Sequence, residues 1–144
     1  PTHVSSVLDF KSDVVVTMIM TFDTCGSTLP HIEIYGQEGT LSLPDPNYFG
    51  GRIQIKRKGM DEWEELPLLF GFTDNSRGIG IADMANSIKT GSKNRANGEM
   101  AFHVLDIMQG IYDASEKNSY YIPISSCVRP EPLSKDFEKS VCKC

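Results

Sequence analysis

The sequence predicts an α+β domain: a mainly antiparallel open β-sheet with two helices packed on one face and the other face available for oligomerisation. Three observations predict it. Apolar residues recur with period 2 from Val4 to Leu66 between clusters of Gly, Pro, Asp and Ser. Two later segments switch to the i, i+3, i+4, i+7 spacing of amphipathic helices, and one short apolar alternation follows them.

In chain order, Val4, Ser6, Leu8 and Phe10 alternate with Ser5, Val7 and Asp9, and Lys11-Ser12-Asp13 supplies turn chemistry, so a hairpin into Val14 to Phe22 is expected. In that run Val14, Val16, Met18, Met20 and Phe22 share one face, and Val15, Thr17, Ile19 and Thr21 the other. Neither face carries a charge, so both are expected to be covered. Asp23 to Pro30 reads as a loop. His31 to Tyr35, the turn Gly36-Gln37-Glu38-Gly39 and Thr40 to Leu43 form a second hairpin. Beyond the turn-rich connection Pro44 to Gly51, Ile53 and Ile55 alternate with Arg52, Gln54 and Lys56, and Trp63 to Leu66 pairs back.

The period then changes. Ile81, Met84, Ala85 and Ile88 fall on one helical stripe, with Asp74, Asn75 and Ser76 as capping candidates before it and Gly91 after it. A second helix begins after Asn97 and Gly98 and carries Ala101, Val104, Leu105, Met108, Ile111 and Tyr112 on one stripe. Both stripes need a surface to cover. Tyr120 to Ile124 reads as a last short strand, and Val128 to Cys144 as a Pro-interrupted charged tail of weak order.

Composition bounds the function. The 144 residues hold 14 Lys+Arg against 19 Asp+Glu, a net charge of −5 that repels phosphate backbones. Nucleic acid is therefore not an expected partner. No apolar run approaches the roughly 20 residues of a bilayer span, so no membrane is expected either. Area scaling gives a folded surface of roughly 7,400 Å² against about 23,000 Å² unfolded, enough burial for a proper core. Cys25, Cys127, Cys142 and Cys144 lack zinc-site spacing, and His3, His31 and His103 stand at no ligand interval from them. Reduced thiols in the cytoplasm are the expectation, and the Cys142-Lys143-Cys144 end is given no role. The chain opens at Pro1 without an initiator Met or the order of a signal peptide, so an excised piece of a longer protein is expected.

Few residues suggest chemistry. Gly78-Ile79-Gly80 starts like a dinucleotide fingerprint, but no third glycine follows and no βαβ unit surrounds it, so it is rejected as a cofactor loop. Glu99 and His103, at i and i+4 with Asp106 nearby, have a spacing that suits a metal or a proton relay; a solvated or interhelical cluster is the stronger explanation. His31 ends a polar loop and begins a strand, where it either contacts a ligand or caps the sheet edge. Arg77 beside a helix start either receives an anionic or polyhydroxylated ligand or pairs with a neighbouring carboxylate. No nucleophile–base arrangement, P-loop or paired catalytic carboxylate stands out.

Two long stretches carry a resemblance: HIEIYGQEGTLSLPDPNYFGG from His31 to Gly51, and RGIGIADMANSIKTGSKNRANGEMAFHVLDIM from Arg77 to Met108, followed by VRPEPL from Val128 to Leu133. In order and spacing they resemble the C-terminal domain of the Gfo/Idh/MocA oxidoreductases, the glucose-fructose oxidoreductase and inositol dehydrogenase group. The resemblance covers residues 1–133 and leaves 134–144 as a charged tail. It implies a parent enzyme with an N-terminal Rossmann domain, absent from this chain, that holds NAD or NADP and the proton-transfer lysine. The family's Asp-x-x-x-His pair is also absent, and its role is not transferred to Glu99 and His103.

What the resemblance leaves to this chain is a substrate wall and an assembly surface, without a catalytic residue, a bound cofactor or a metal of its own. The wall falls on Ser27, Thr28 and His31 in the loop before a strand, and on Asn75 and Arg77 at a helix start. The open sheet face joins subunits into dimers or tetramers. The implied function is the substrate-binding and oligomerisation domain of an NAD(P)-dependent sugar or polyol oxidoreductase, inactive alone. The alternative is a freestanding, non-catalytic oligomerisation or scaffold domain.

Overall fold

The computed structural model describes residues 1–74 and 76–137. Asn75, Cys142, Cys144 and the end of the tail lie outside the described residues. The protein is α+β, with antiparallel strands first and two helices after them. The strands form two sheets rather than one. Contacts group the chain into two compact units: unit 1 takes Pro1–Leu29 and His103–Ser125, and unit 2 takes Pro30–Phe102 and the chain from Ser126 onward.

In unit 1, β1 (His3–Asp9) and β2 (Val15–Thr21) form a hairpin with Val4 opposite Met20, Ser6 opposite Met18 and Leu8 opposite Val16. Its turn closes where Phe10 donates its N–H to the Val14 carbonyl at 2.9 Å and Asp13 donates to the Phe10 carbonyl at 3.0 Å. Asp13 takes the left-handed conformation, φ 63°, that a short hairpin loop requires and that a small polar side chain tolerates. The face with Val4, Ser6, Leu8 and Met18 is half-buried. The opposite face, with Val7, Val15, Thr17 and Ile19, is exposed. The ladder stops at residue 21 because the loop after it satisfies its own polar groups: Asp23 N–H donates to Thr21 Oγ1, Gly26 N–H to Thr24 Oγ1 and Leu29 N–H to Ser27 Oγ.

In unit 2, β3 (Ile32–Gly36), β4 (Gly39–Leu43), β5 (Ile53–Arg57) and β6 (Glu64–Leu66) form a meander in that order. Pairing Ile32 with Leu43, Ile34 with Leu41, Leu41 with Ile55 and Ile53 with Leu66 gathers a largely apolar face, interrupted by Glu64 opposite Ile55, while Glu33, Ser42, Gln54 and Glu65 populate the other. Arg52 pairs with Glu65, and Arg57 with Glu64, across β5 and β6.

Helix α1 (Ile79–Thr90) follows in unit 2 and α2 (Gly98–Glu116) runs through the point where unit 1 resumes. α1 ends as expected, with Gly91 at φ 69° donating its N–H to the Ser87 carbonyl. Its start differs: Gly78 is the N-cap, with no side-chain cap bond, so Asp74 and Ser76 do not cap it. α2 is capped by Asn97, whose Oδ1 accepts from Met100 N–H at 3.0 Å.

The largest departure is which face of each helix is covered. On α1 the stripe of Ile81, Met84 and Ile88 is exposed, Ile88 to 79%, while Asp83 and Ser87 on the opposite face are buried. On α2 Val104, Leu105 and Met108 are exposed, while Asp106 and Gly110 are buried. Among the described residues Phe137 is the buried hydrophobic. The expected core is therefore not closed within this chain. Residues 120–124 form no strand, since no neighbouring strand offers them a ladder, and Tyr120, Ile122 and Ile124 stay exposed. Part of the tail is anchored instead: Phe137 meets Phe72 edge-on at 6.2 Å between ring centroids. No helix among the described residues is long and apolar enough to cross a membrane.

Candidate functional site

A cavity of about 400 Å³ opens in unit 2 between the segment Asn47–Gly51 and the segment holding Thr73, Asp74 and Arg77. Its volume lies near the lower end of small-molecule sites. Local chemistry shapes the first wall. Asp45 Oδ1 accepts the Asn47 N–H at 2.8 Å and the Asp45 carbonyl accepts the Tyr48 N–H at 3.1 Å, a turn that presents Asn47, Tyr48 and Phe49. His31 Nε2 stands 3.5 Å from Asp45 Oδ2 and so steadies that turn from outside the cavity lining.

One glycine lets the walls meet, and a second lets the first wall fold on itself. A Cβ on Gly50 would lie 2.5 Å from the Thr73 carbonyl oxygen, and one on Gly51, at φ +124°, would lie 2.6 Å from Pro44 Cβ. The second wall begins at Phe72, which holds φ 64° although it is bulky and not glycine. Such a conformation costs about 1–3 kcal/mol and persists only where neighbours enforce it. The ring contact with Phe137 is one such neighbour.

Arg77 reaches the cavity from the turn before α1. Of the two sequence readings for it, pairing with a neighbouring carboxylate is not met: among the described residues it makes no ion pair or hydrogen bond. Asp74 lines the same wall without engaging it. The cavity lining thus includes an arginine and an aspartate without a partner among the described residues, two aromatic residues and two glycines. That set suits hydrogen bonding to a small polar ligand and contains no nucleophile–base pair.

Of the sequence-predicted residues, Arg77 lines the cavity and His31 supports its rim. Ser27 and Thr28 belong to unit 1 and are exposed, with the Ser27 hydroxyl accepting from Leu29 N–H. Asn75 falls outside the described residues. Asn47, Tyr48, Phe49 and Thr73 were not singled out as site residues from the sequence. Two aromatics followed by two glycines in a Pro/Asp turn were the available signal.

The Glu99, His103 and Asp106 group resolves into separate roles. Glu99 pairs with Lys93. Asp106 accepts the Tyr121 phenol at 2.7 Å on Oδ1, and on Oδ2 the Ser125 N–H at 2.9 Å and the Ser125 hydroxyl at 2.6 Å. With its proton given to Asp106, Ser125 Oγ accepts from His103 Nδ1 at 2.9 Å, which assigns the ring proton to Nδ1. The hydroxyl therefore lies between acid and imidazole, so this is a clamp and not a nucleophile relay. Bonds from Ser125 and then Tyr121 hold the Asp106 carboxyl below its ordinary range, and the same carboxylate pushes the Tyr121 phenol up.

No group of three or more His, Cys, Asp or Glu side chains among the described residues is placed to hold a metal. Nor do the residues fit a dinucleotide: Gly78 and Gly80 open α1 after irregular chain, with no strand before them to form a βαβ crevice. No family model matches the chain, and neither the curated proteins nor the solved structures yield a match.

Proposed function

We propose that this chain is the substrate-binding and oligomerisation domain of an NAD(P)-dependent sugar or polyol oxidoreductase of the Gfo/Idh/MocA type, working in the cytoplasm. One observation carries the reading. The two stretches of the resemblance, 31–51 and 77–108, come together at one cavity, the first supplying Asn47–Gly51 and the second Arg77. The chemistry supplied by the nucleotide in the whole enzyme is acceptance of a hydride from a carbinol carbon. This chain's share is to bind and orient the hydroxylated substrate, through Arg77, Asp74 and the turn steadied by His31. Ser27, Thr28 and Asn75 are the further residues that the resemblance assigns to substrate binding.

The uncovered surface supports the second half of the reading. The exposed apolar side chains of Ile81, Met84 and Ile88 on α1 and of Val104, Leu105 and Met108 on α2 are the kind of surface that assemblies cover. The missing nucleotide-binding half and further copies of the chain are the partners proposed to cover it, the copies meeting on the exposed hairpin face of Val7, Val15, Thr17 and Ile19.

The test is to capture the native polypeptide from its source with an antibody to this chain, then measure its size and its NAD(P)H formation on a panel of sugars and polyols. A product larger by roughly one domain of 100–150 residues that reduces NAD(P) supports the proposal. A product of this chain's own size, assembled but without turnover, would favour the scaffold reading. Independently, Thr17→Lys should shift the assembly toward monomer in light scattering, and an unchanged mass removes that face from the interface.

A further inference from the structure

We propose that the cavity of unit 2 is an anchor for a sugar acid, with Arg77 taking the carboxylate and Asp74 the vicinal hydroxyls. This narrows the sugar- or polyol-binding reading above and rests on it. A guanidinium that faces a cavity without a protein partner retains its full set of donors, and its planar fork matches a carboxylate through two parallel bonds.

Charge on the cavity wall decides which anion fits. Among the described lining residues Arg77 is the cation, and Asp74 is a carboxylate on the same wall. A carboxylate ligand brings one negative charge and balances Arg77. A phosphate monoester brings nearly two and would also face Asp74. The monoanion is therefore favoured. Asp74, acceptor-only when ionised, meets hydroxyl donors at the ligand's other end, and Tyr48 and Phe49 offer apolar ring faces to sugar C–H groups. The close approach of Gly50 to Thr73 keeps both walls within one cavity of about 400 Å³.

Calorimetric titration of the full chain with D-glucuronate, D-glucose and D-glucose 6-phosphate at constant ionic strength tests this. The expected result is glucuronate about tenfold tighter than glucose, the scale of one charge-assisted contact, with glucose 6-phosphate no tighter than glucuronate. Arg77→Gln should abolish the preference for glucuronate and Arg77→Lys should keep part of it. Asp74→Asn should raise glucose 6-phosphate toward glucuronate. Glucose bound as tightly as glucuronate, a preference that survives Arg77→Gln, or tighter binding of the phosphate each overturn the carboxylate anchor while leaving a sugar site standing. If none of the three sugars binds, the sugar-site reading itself falls, and the anchor with it.

Discussion

Asp83 on α1 and Asp106 on α2 are both buried on the helical face opposite an exposed apolar stripe, yet they are satisfied by different means. Asp83 meets a charge: it pairs with the Arg95 guanidinium and accepts the Arg95 N–H at 2.8 Å, while Arg95 also donates from Nε to the Glu131 carbonyl at 2.7 Å and from Nη2 to the Pro132 carbonyl at 3.3 Å. Asp106 meets neutral donors, from Tyr121 and Ser125. Each carboxylate fastens a later stretch of chain to its own helix. The difference teaches that unit 2 holds its buried carboxylate with a countercharge, whereas unit 1 holds its own with neutral donors.

Breaking the charged clamp should have the largest effect. Arg95→Met leaves Asp83 buried without its cation and releases residues 131–132, at a cost of about 3 kcal/mol in denaturant unfolding. Pairing it with Asp83→Leu should recover a good part of that loss, because a buried pair replaced as a whole costs less than one broken in half. A double variant no better than Arg95→Met alone would show that Arg95 acts through its carbonyl contacts instead.

The neutral clamp is reached next through a glycine. A Cβ on Gly110 would lie 2.2 Å from Tyr121 Cδ1, so Gly110→Ala should push the ring off the helix. Overpacking of this kind costs about 1–3 kcal/mol, despite the helix propensity of alanine. Loss of the phenol bond should also let the Asp106 pKa rise toward its ordinary value, measurable by carboxyl NMR.

The Asp106 clamp responds to pH. Because the Asp106 pKa is depressed, its contribution to stability is full above the ordinary carboxylate range and is lost as pH falls through the depressed value. Tyr121 limits the other side: its raised pKa means a contribution present below the ordinary phenol range and lost as pH rises through the raised value. Exchange of the Ser125 amide followed against pH should stay protected below the pH at which a free carboxylate titrates. Release at the free-carboxylate pH would refute the hydrogen-bond origin of the shift. The smallest effect is expected from Tyr121→Phe, which removes one donor of three and should move the Asp106 titration upward without freeing Ser125.

Strands were legible where the partner lies next in the chain. The hairpins β1–β2, β3–β4 and β5–β6 each join neighbours, and alternation around Gly, Asp and Ser turns reveals them. Helix spans were legible for the same local reason, down to Gly91 and Asn97. Their orientation was not, because it depends on hydrogen bonds from 12 and 19 residues away, at Arg95 and Ser125. A stripe of Ile and Met announces an apolar face and cannot say whether this chain covers it. The same holds for Tyr120 to Ile124, whose alternation lacks a ladder. At the cavity, Arg77 was visible as a cation at an odd place, near a helix start. Tyr48 and Phe49 sit in a turn without period and carry no such mark.

The division of the chain has a consequence for its synthesis. Unit 1 is discontinuous: its hairpin is made from the first 29 residues, and its remaining part begins at His103. At about 5–20 residues per second a ribosome spends several seconds on Pro30–Phe102 before that part emerges. Throughout that interval the hairpin's strand edges and the side chains of Val7, Val15 and Ile19 are without the part of unit 1 that resumes at His103. An isolated two-stranded hairpin has marginal stability. The nascent chain is therefore a natural client for holding chaperones, and its yield on expression should track their supply and the speed of translation through unit 2.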